Sequence, residues 1–192
     1  KADNSGFSIQ QEPGKLTIAI TSSQKFCIGL TGTFDGGITF TNKNNSDVDL
    51  VLRDVHITSN EHAGYLEMKT NDSRKGNTYF VKLIGNSSIV GATTKDSKSV
   101  IESKPNLAFI GDGSLSVTAK FKNGLDVDDV MTIYNGKIDI TLDRREAASV
   151  DDYKEKGFGI KAKNGFVMRG GSLNIHANDN IENYESRGIK VD

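Results

Sequence analysis

Apolar and polar residues alternate with a period of two in many short segments of this chain. Leu115-Ser116-Val117, Ile138-Asp139-Ile140 and Leu173-Asn174-Ile175 each place two apolar side chains on one face of an extended strand. Glycine and asparagine separate these segments, at positions where a chain turns tightly. No window sustains helical spacing, and the best helical candidate, residues 144–156, is interpreted as a loop. The pattern predicts an all-β protein.

Two short phrases recur along the chain. The first begins with glycine and an aliphatic residue, and its copies are Gly124–Asp128, Gly159–Lys163 and Gly188–Asp192, with looser copies at Gly64–Lys69 and Ser99–Lys104. The second centres on a shared glycine that precedes an alternating segment, at Gly113, Gly136 and Gly171. Regular recurrence of this kind is typical of solenoids, in which each repeat buries its apolar face by stacking on the next.

The repeats predict a single-stranded right-handed parallel β-helix. A coil of about three strands and three corners needs roughly 22 to 30 residues, which gives roughly six to eight coils. The right-handed form follows from the usual handedness of parallel crossover connections. The expected organisation is one domain over residues 1–192, with a loop inserted between two coils at 144–156.

Composition restricts the function classes. The net charge of −1 gives no basic surface for nucleic acid, and no apolar run approaches the roughly 18 residues that would span a bilayer. The only cysteine, Cys27, excludes an internal disulfide framework and has no readable activating partner. The first residues contain no apolar signal segment, so a mature secreted form, a trimmed form and a cytosolic protein all stay open.

The chain resembles a known family from about Leu30 onward. The residues that carry the resemblance are the run Val48–Thr58, the Gly-Ile-Lys and Gly-x-Leu-x-Ile phrases, and the corner Asn178–Ile181. Together they resemble the bacterial secreted proteins described as carbohydrate-binding-domain-containing, formerly a domain of unknown function. The resemblance implies a pectate-lyase-like β-helix that acts outside the cell or on its surface. It also implies binding of plant-type polysaccharides, including acidic pectin, with calcium sites in some members.

Stacking the first phrase predicts two columns of outward side chains. The columns are Glu67, Glu102, Asp126, Lys161, Lys190 and Lys69, Lys104, Asp128, Lys163, Asp192. In the structural interpretation they are a solvated charge ladder that fixes the strand register. In the functional interpretation this flat face binds a linear sugar chain, and its lysines contact uronate carboxylates. The predicted ligand-binding residues are Lys69, Lys104, Lys161, Lys163 and Lys190.

The densest acidic cluster is a candidate calcium site. Asp126, Asp128 and Asp129 are the candidate ligands, with Asp112 expected on the preceding coil. Calcium takes six to eight oxygens, which favours converging carboxylates, whereas neighbouring lysines would compete for them. The run Asn178-Asp179-Asn180 is a second candidate and is also explained as a corner whose side chains bond its own backbone. The three histidines share no metal-ligand spacing.

Three functions remain open at this point. The first is a non-catalytic carbohydrate-binding protein for plant-type or acidic polysaccharide such as polygalacturonate. The second is a polysaccharide lyase on the same fold, for which Asp126, Asp128 and Lys161 supply an outline of acids and base. The third is a structural stalk or adhesin segment. No catalytic triad or phosphate-binding loop is present in the sequence.

Overall fold

The protein is all-β. The structure, a computed structural model, describes residues 6–44, 46–70, 76–93, 99–143, 157–178 and 186–192. These residues form eighteen strands in two sheets. The loop insertion predicted at 144–156 and most of the corner at 178–181 lie outside the described residues. Within the described ranges no helix is long and apolar enough to cross a membrane.

The first sheet has eight strands. In spatial order they are β1 (Phe7–Glu12), β2 (Lys15–Ile20), β4 (Gly37–Asn42), β6 (Tyr65–Thr70), β9 (Ile101–Ser103), β12 (Leu125–Val127), β15 (Gly157–Ala162) and β18 (Ser186–Val191). β1 and β2 pair antiparallel across the turn at Pro13-Gly14, and all later pairs are parallel. The sheet is therefore mixed, with its antiparallel pair at one edge.

The second sheet has ten strands, and the pairs between them are parallel. Along its main path the order is β16 (Gly165–Met168), β13 (Val130–Ile133), β10 (Asn106–Gly111), β7 (Thr78–Ile84), β5 (Val48–Thr58), β8 (Asn86–Val90), β11 (Ser114–Ala119), β14 (Lys137–Asp143) and β17 (Ser172–Asn178). The tenth strand, β3 (Phe26–Asp35), pairs with β5 away from this path. The long strand β5 is therefore the centre of the sheet, because it also pairs with β7 and β8.

One hydrophobic core collects the inward side chains of both sheets. Alternation along the strands turns every second side chain inward, as in β14, where Ile138, Ile140 and Leu142 are fully buried. Equivalent positions of successive strands stack, so Ile138 lies opposite Leu115 on one side and Leu173 on the other. Exposure increases at the last strand of the first sheet, where Ile189 is 43% exposed and Val191 is 50% exposed.

The repeats correctly align the strands. Leu125 of the first phrase pairs with Ile101 and with Ile160, and Ile160 pairs with Ile189. In the second phrase, the residues after the shared glycines, Ser114, Lys137 and Ser172, are neighbours in the ten-stranded sheet. The glycines themselves stand where neighbouring backbones approach closely, since a Cβ on Gly171 would lie 2.3 Å from the carbonyl oxygen of Gly136.

The prediction of a single right-handed β-helix of six to eight coils is wrong. The strands divide into two sheets, one of them mixed, and their pairing does not form a single solenoid. The physical reason lies in β5, which pairs through Leu50 with β7 and through Ile57 with β8, so that one strand has two successive strands of the chain as partners. A period of two specifies which face of a strand is buried, but it does not specify how strands are shared between sheets.

Candidate functional site

The outward face of the eight-stranded sheet carries the charged residues predicted from the sequence. Glu102 pairs in register with Glu67 and Asp126, and Lys161 pairs with Asp126 and Lys190. The second predicted column keeps the same register, because the amide N–H of Asp128 donates to the carbonyl of Ser103 and that of Lys163 donates to Val127. Parallel strands lie about 4.8 Å apart, so neighbours in each column are within reach of each other.

A pocket of about 140 Å³ lies in the middle of this face. Most of its lining is charged, and the lining residues are Glu67, Met68, Glu102, Ser103, Lys104, Asp126, Asp128 and Lys161. Four of these side chains are carboxylates and two are amines. We call this the central pocket.

Glu67 is the most deeply placed carboxylate of the central pocket, with only 5% of the residue exposed. The hydroxyl of Thr39 donates to Glu67 Oε2 at 3.1 Å, and Lys69 Nζ lies 3.1 Å from Glu67 Oε1. Thr39 and Lys69 both stabilise this carboxylate, because a buried charge needs hydrogen bonds or an opposite charge beside it. Glu67 is therefore a fixed acceptor at the floor of the face.

Most of the predicted ligand-binding lysines pair with carboxylates of the same face. Lys104 contacts Asp128, Lys161 Nζ lies 3.8 Å from Asp126 Oδ2, and Lys190 Nζ lies 2.5 Å from Asp192 Oδ1. The hydrogen bond to Asp128 raises the pKa of Lys104, and the hydrogen bond from Lys190 lowers the pKa of Asp192. A ligand that binds these lysines must therefore share them with these acids.

Lys163 differs from the other four lysines. It is exposed and directly follows β15, and none of the acids that the structure describes pairs with it. It is therefore the lysine of the predicted set that is most available to a ligand.

A second pocket, of about 380 Å³, adjoins the central pocket and adds an aromatic ring. It is lined by Ser99, Glu102, Lys122, Asn123, Asp126, Phe158 and Lys161. Glu102, Asp126 and Lys161 line both pockets, so the two form one continuous depression, which we call the sheet-face groove.

Asn123 joins the aromatic and acidic parts of the groove. Its Oδ1 accepts the amide N–H of Phe158 at 3.0 Å, and its Nδ2 donates to Asp126 Oδ2 at 3.0 Å. The ammonium group of Lys190 lies 5.9 Å from the centroid of the Phe158 ring. Sequence reasoning missed Phe158, although its position between Gly157 and Gly159, directly before a repeat, sets it apart.

The three predicted calcium ligands do not share one pocket. Asp126 and Asp128 both line the central pocket, whereas Asp129 is 7% exposed and accepts a hydrogen bond at Oδ1 from Asn164 Nδ2 at 2.9 Å. Asp112 lies at the turn between β10 and β11, in a different pocket with Lys137. Asp126 and Asp128 share the central pocket with Glu102 and Glu67, but the described acids of this face do not converge as a group of three ligand atoms.

A sequence profile of the family described as carbohydrate-binding domain-containing protein matches residues 14–192. The match includes every residue of the sheet-face groove. No curated protein matches the chain, and no solved structure matches it.

Proposed function

We propose, because the chain belongs to the carbohydrate-binding domain-containing family, that it binds polysaccharide in the sheet-face groove without catalysing a reaction on it. The observation that carries this proposal is the placement of Phe158 beside Glu102, Asp126 and Lys161 in one depression. Plant-type polysaccharide is the ligand class, and an extracellular or cell-surface location is proposed with it, since such polymers lie outside the cell.

The groove offers the two kinds of contact that a sugar ring uses. An aromatic side chain presents apolar area at low cost in conformational entropy, and the C–H face of a pyranose can pack on the ring of Phe158. Sugar hydroxyls both donate and accept hydrogen bonds, so they match carboxylate acceptors and ammonium donors side by side. Asp126 and Lys161, which are 3.8 Å apart, provide one acceptor and one donor directly beside the ring pocket.

The charges of the groove affect whether a neutral or an acidic polysaccharide binds more tightly. The central pocket has four carboxylates and two amines, and both amines pair with carboxylates. A neutral polysaccharide can bind to this lining without breaking any of these lysine–carboxylate ion pairs. Polygalacturonate would have to exchange its carboxylates for those of the protein, at about 0.2–1 kcal/mol for each exposed pair, or share a cation with them. We therefore propose that neutral polymers bind at least as well as polygalacturonate.

The test is retention on insoluble cellulosic and pectic polymers. Phe158→Ala removes the ring that is proposed to contact sugar, and we expect a loss of about 1.4 kcal/mol, or about tenfold in affinity. The matched control is Tyr134→Ala, because Tyr134 is an aromatic residue, 41% exposed, that follows β13 in the other sheet. Native retention of the Phe158 variant would place the site elsewhere, and failure of the native protein to bind any polymer would reject the proposed function.

A second comparison tests the charge argument. In the double variant Lys161→Glu, Lys163→Glu, retention on polygalacturonate should fall strongly at low salt, whereas retention on a neutral polymer should fall much less, because it loses only the hydrogen-bond donor of Lys161. Exposed charges are screened within about 10 Å at 0.1 M ionic strength, so added salt should weaken only the pectic binding. Equal, salt-independent loss on both polymers would show that these lysines contact the sugar through hydrogen bonds instead.

A further inference from the structure

A second group of polar side chains lies outside the sheet-face groove. Asp35 at the end of β3, and Glu61 and His62 in the loop after β5, each direct one potential metal-ligand atom to the same place, with these atoms all within 4.8 Å of one another. Among the residues that the structure describes, it is the one group of three such side chains with this geometry. None of the three lines the groove.

Asp35 holds the loop that carries the other two residues. Its Oδ1 accepts the amide N–H of Asn60 at 2.7 Å and the hydroxyl of Thr58 at 3.1 Å, and its Oδ2 accepts the amide N–H of Glu61 at 3.1 Å. The carboxylate side chain of Glu61 is not used in these bonds. It therefore stays available while its own backbone is fixed.

The position of the His62 ring depends on a glycine, Gly14, in the turn between β1 and β2. Gly14 has φ +66°, and a Cβ at that residue would lie 2.1 Å from Cδ2 of the His62 ring. The imidazole thus occupies space that any other residue at position 14 would fill. His62 Nδ1 lies 3.5 Å from Asp35 Oδ2. For ligands about 2.0–2.2 Å from a tetrahedral zinc ion, neighbouring ligand atoms are about 3.4 Å apart, which is close to this separation.

We propose that Asp35, Glu61 and His62 form a binding site for a zinc-class divalent metal ion. One imidazole nitrogen with two carboxylate oxygens is a donor set that suits zinc and neighbouring transition metals. It does not suit calcium, which takes six to eight oxygens and no nitrogen. Glu61 is exposed, so a rotation of its side chain brings its oxygen to the ion without moving the loop.

The surroundings leave room for a further ligand. The three residues line an open pocket of about 660 Å³, together with Phe34, Pro13-Gly14 and the side chain of Glu12. A three-residue zinc site keeps an open position for water or another donor, and this pocket has room for one. The ligands come from the end of β3 and the loop after β5, so a bound ion would tie together two segments that are distant in sequence.

The experiment titrates the whole chain with zinc by calorimetry and with cobalt by visible absorption, since cobalt reports its coordination geometry. We expect one ion per chain, the absorption bands of tetrahedral cobalt, and a zinc-dependent rise in melting temperature. His62→Ala should lower zinc affinity at least tenfold. Glu61→Gln should do the same, and because it keeps the backbone N–H that bonds Asp35, it separates loss of a ligand from loss of the loop.

The matched control is His176→Ala, which removes an exposed histidine from β17 in a part of the chain that does not line this pocket. Zinc affinity of this variant should equal that of the native protein. Native zinc affinity in both His62→Ala and Glu61→Gln, or no zinc binding at millimolar ion, would overturn the proposal. Calcium at the same concentration should not compete with zinc, and full competition would show a general cation site in place of a zinc-class one.

Discussion

The inward column of the ten-stranded sheet predicts a gradient of stability along the stack. Ile138 on β14 is fully buried between Leu115 and Leu173. Truncation to alanine removes three buried carbon atoms and leaves a cavity that both neighbours line, so Ile138→Ala should lower the free energy of unfolding by about 2–5 kcal/mol. Leu173, one strand further along, is only partly buried.

Leu173→Ala should therefore lower the free energy of unfolding by about 1–2 kcal/mol, since its side chain gives up less buried apolar area and leaves an opening to solvent in place of a closed cavity. Urea unfolding of both variants measures the difference, with Ile138→Val, at about 0.5–1.5 kcal/mol, as the graded control. Equal losses for Ile138→Ala and Leu173→Ala would refute the gradient. They would mean that the apolar side of β17 is as well covered as that of β14.

Two further outcomes follow from the charged side chains. Asp139 accepts hydrogen bonds from Asn174 and Lys137, and these bonds lower the pKa of its carboxyl below the ordinary 3.8. The stabilisation by ionised Asp139 is therefore complete at pH values above 3.8. It is lost as the pH falls through the lowered pKa. Asp139→Asn should accordingly reduce the loss of unfolding free energy between neutral pH and about pH 3, and an unchanged pH dependence would contradict this. If Asp126 and Asp128 bind calcium, the ion should raise the melting temperature of the native protein, and the double change Asp126→Asn, Asp128→Asn should abolish the rise. No shift at millimolar calcium would reject that site.

The sequence was sufficient to predict strands and their register, because both depend on local pattern. The spacing of Gly136-x-Ile138-x-Ile140 against Gly171-x-Leu173-x-Ile175 aligned β14 with β17, and the pairing of Ile138 with Leu173 confirms it. The alternation also identified the buried face, since an inward polar side chain would lack partners in an aliphatic core.

The arrangement of sheets was not predictable in the same way. In β5 the alternation breaks at Arg53 and Asp54, which are both exposed, and Asp54 has φ +50°. The apolar pattern resumes in the opposite phase at Val55, which allows one strand to serve two partners. That break is visible in the sequence, as is the Pro13-Gly14 turn between two alternating runs that form the antiparallel β1–β2 pair. Neither feature belongs to the repeats, so the repeats alone do not predict the arrangement of the sheets.

The candidate groove was predictable in its charges but not in its aromatic part. Lys104, Lys161, Asp126 and Asp128 were identified because register places repeated outward positions side by side. Phe158 directly precedes the repeat at Gly159, as Asn123 directly precedes the repeat at Gly124, so the repeats align the two residues. The hydrogen bonds that join Phe158 to Asp126 use the side chain of Asn123, and the repeats do not specify that contact. The same limit hid Asp35, Glu61 and His62, which come together only through the fold of two distant segments.

The outward column of the eight-stranded sheet that runs from Glu67 to Lys190 has opposite charges at its two ends. Its three members on β6, β9 and β12 are acids, and its members on β15 and β18 are lysines, so the sign of charge reverses once along the stack. A polymer laid along the column meets acceptors at one end and donors at the other. Turning that polymer end for end would exchange these contacts, so its two orientations differ in free energy. A polysaccharide that binds along this column, as proposed, would therefore bind in one preferred orientation.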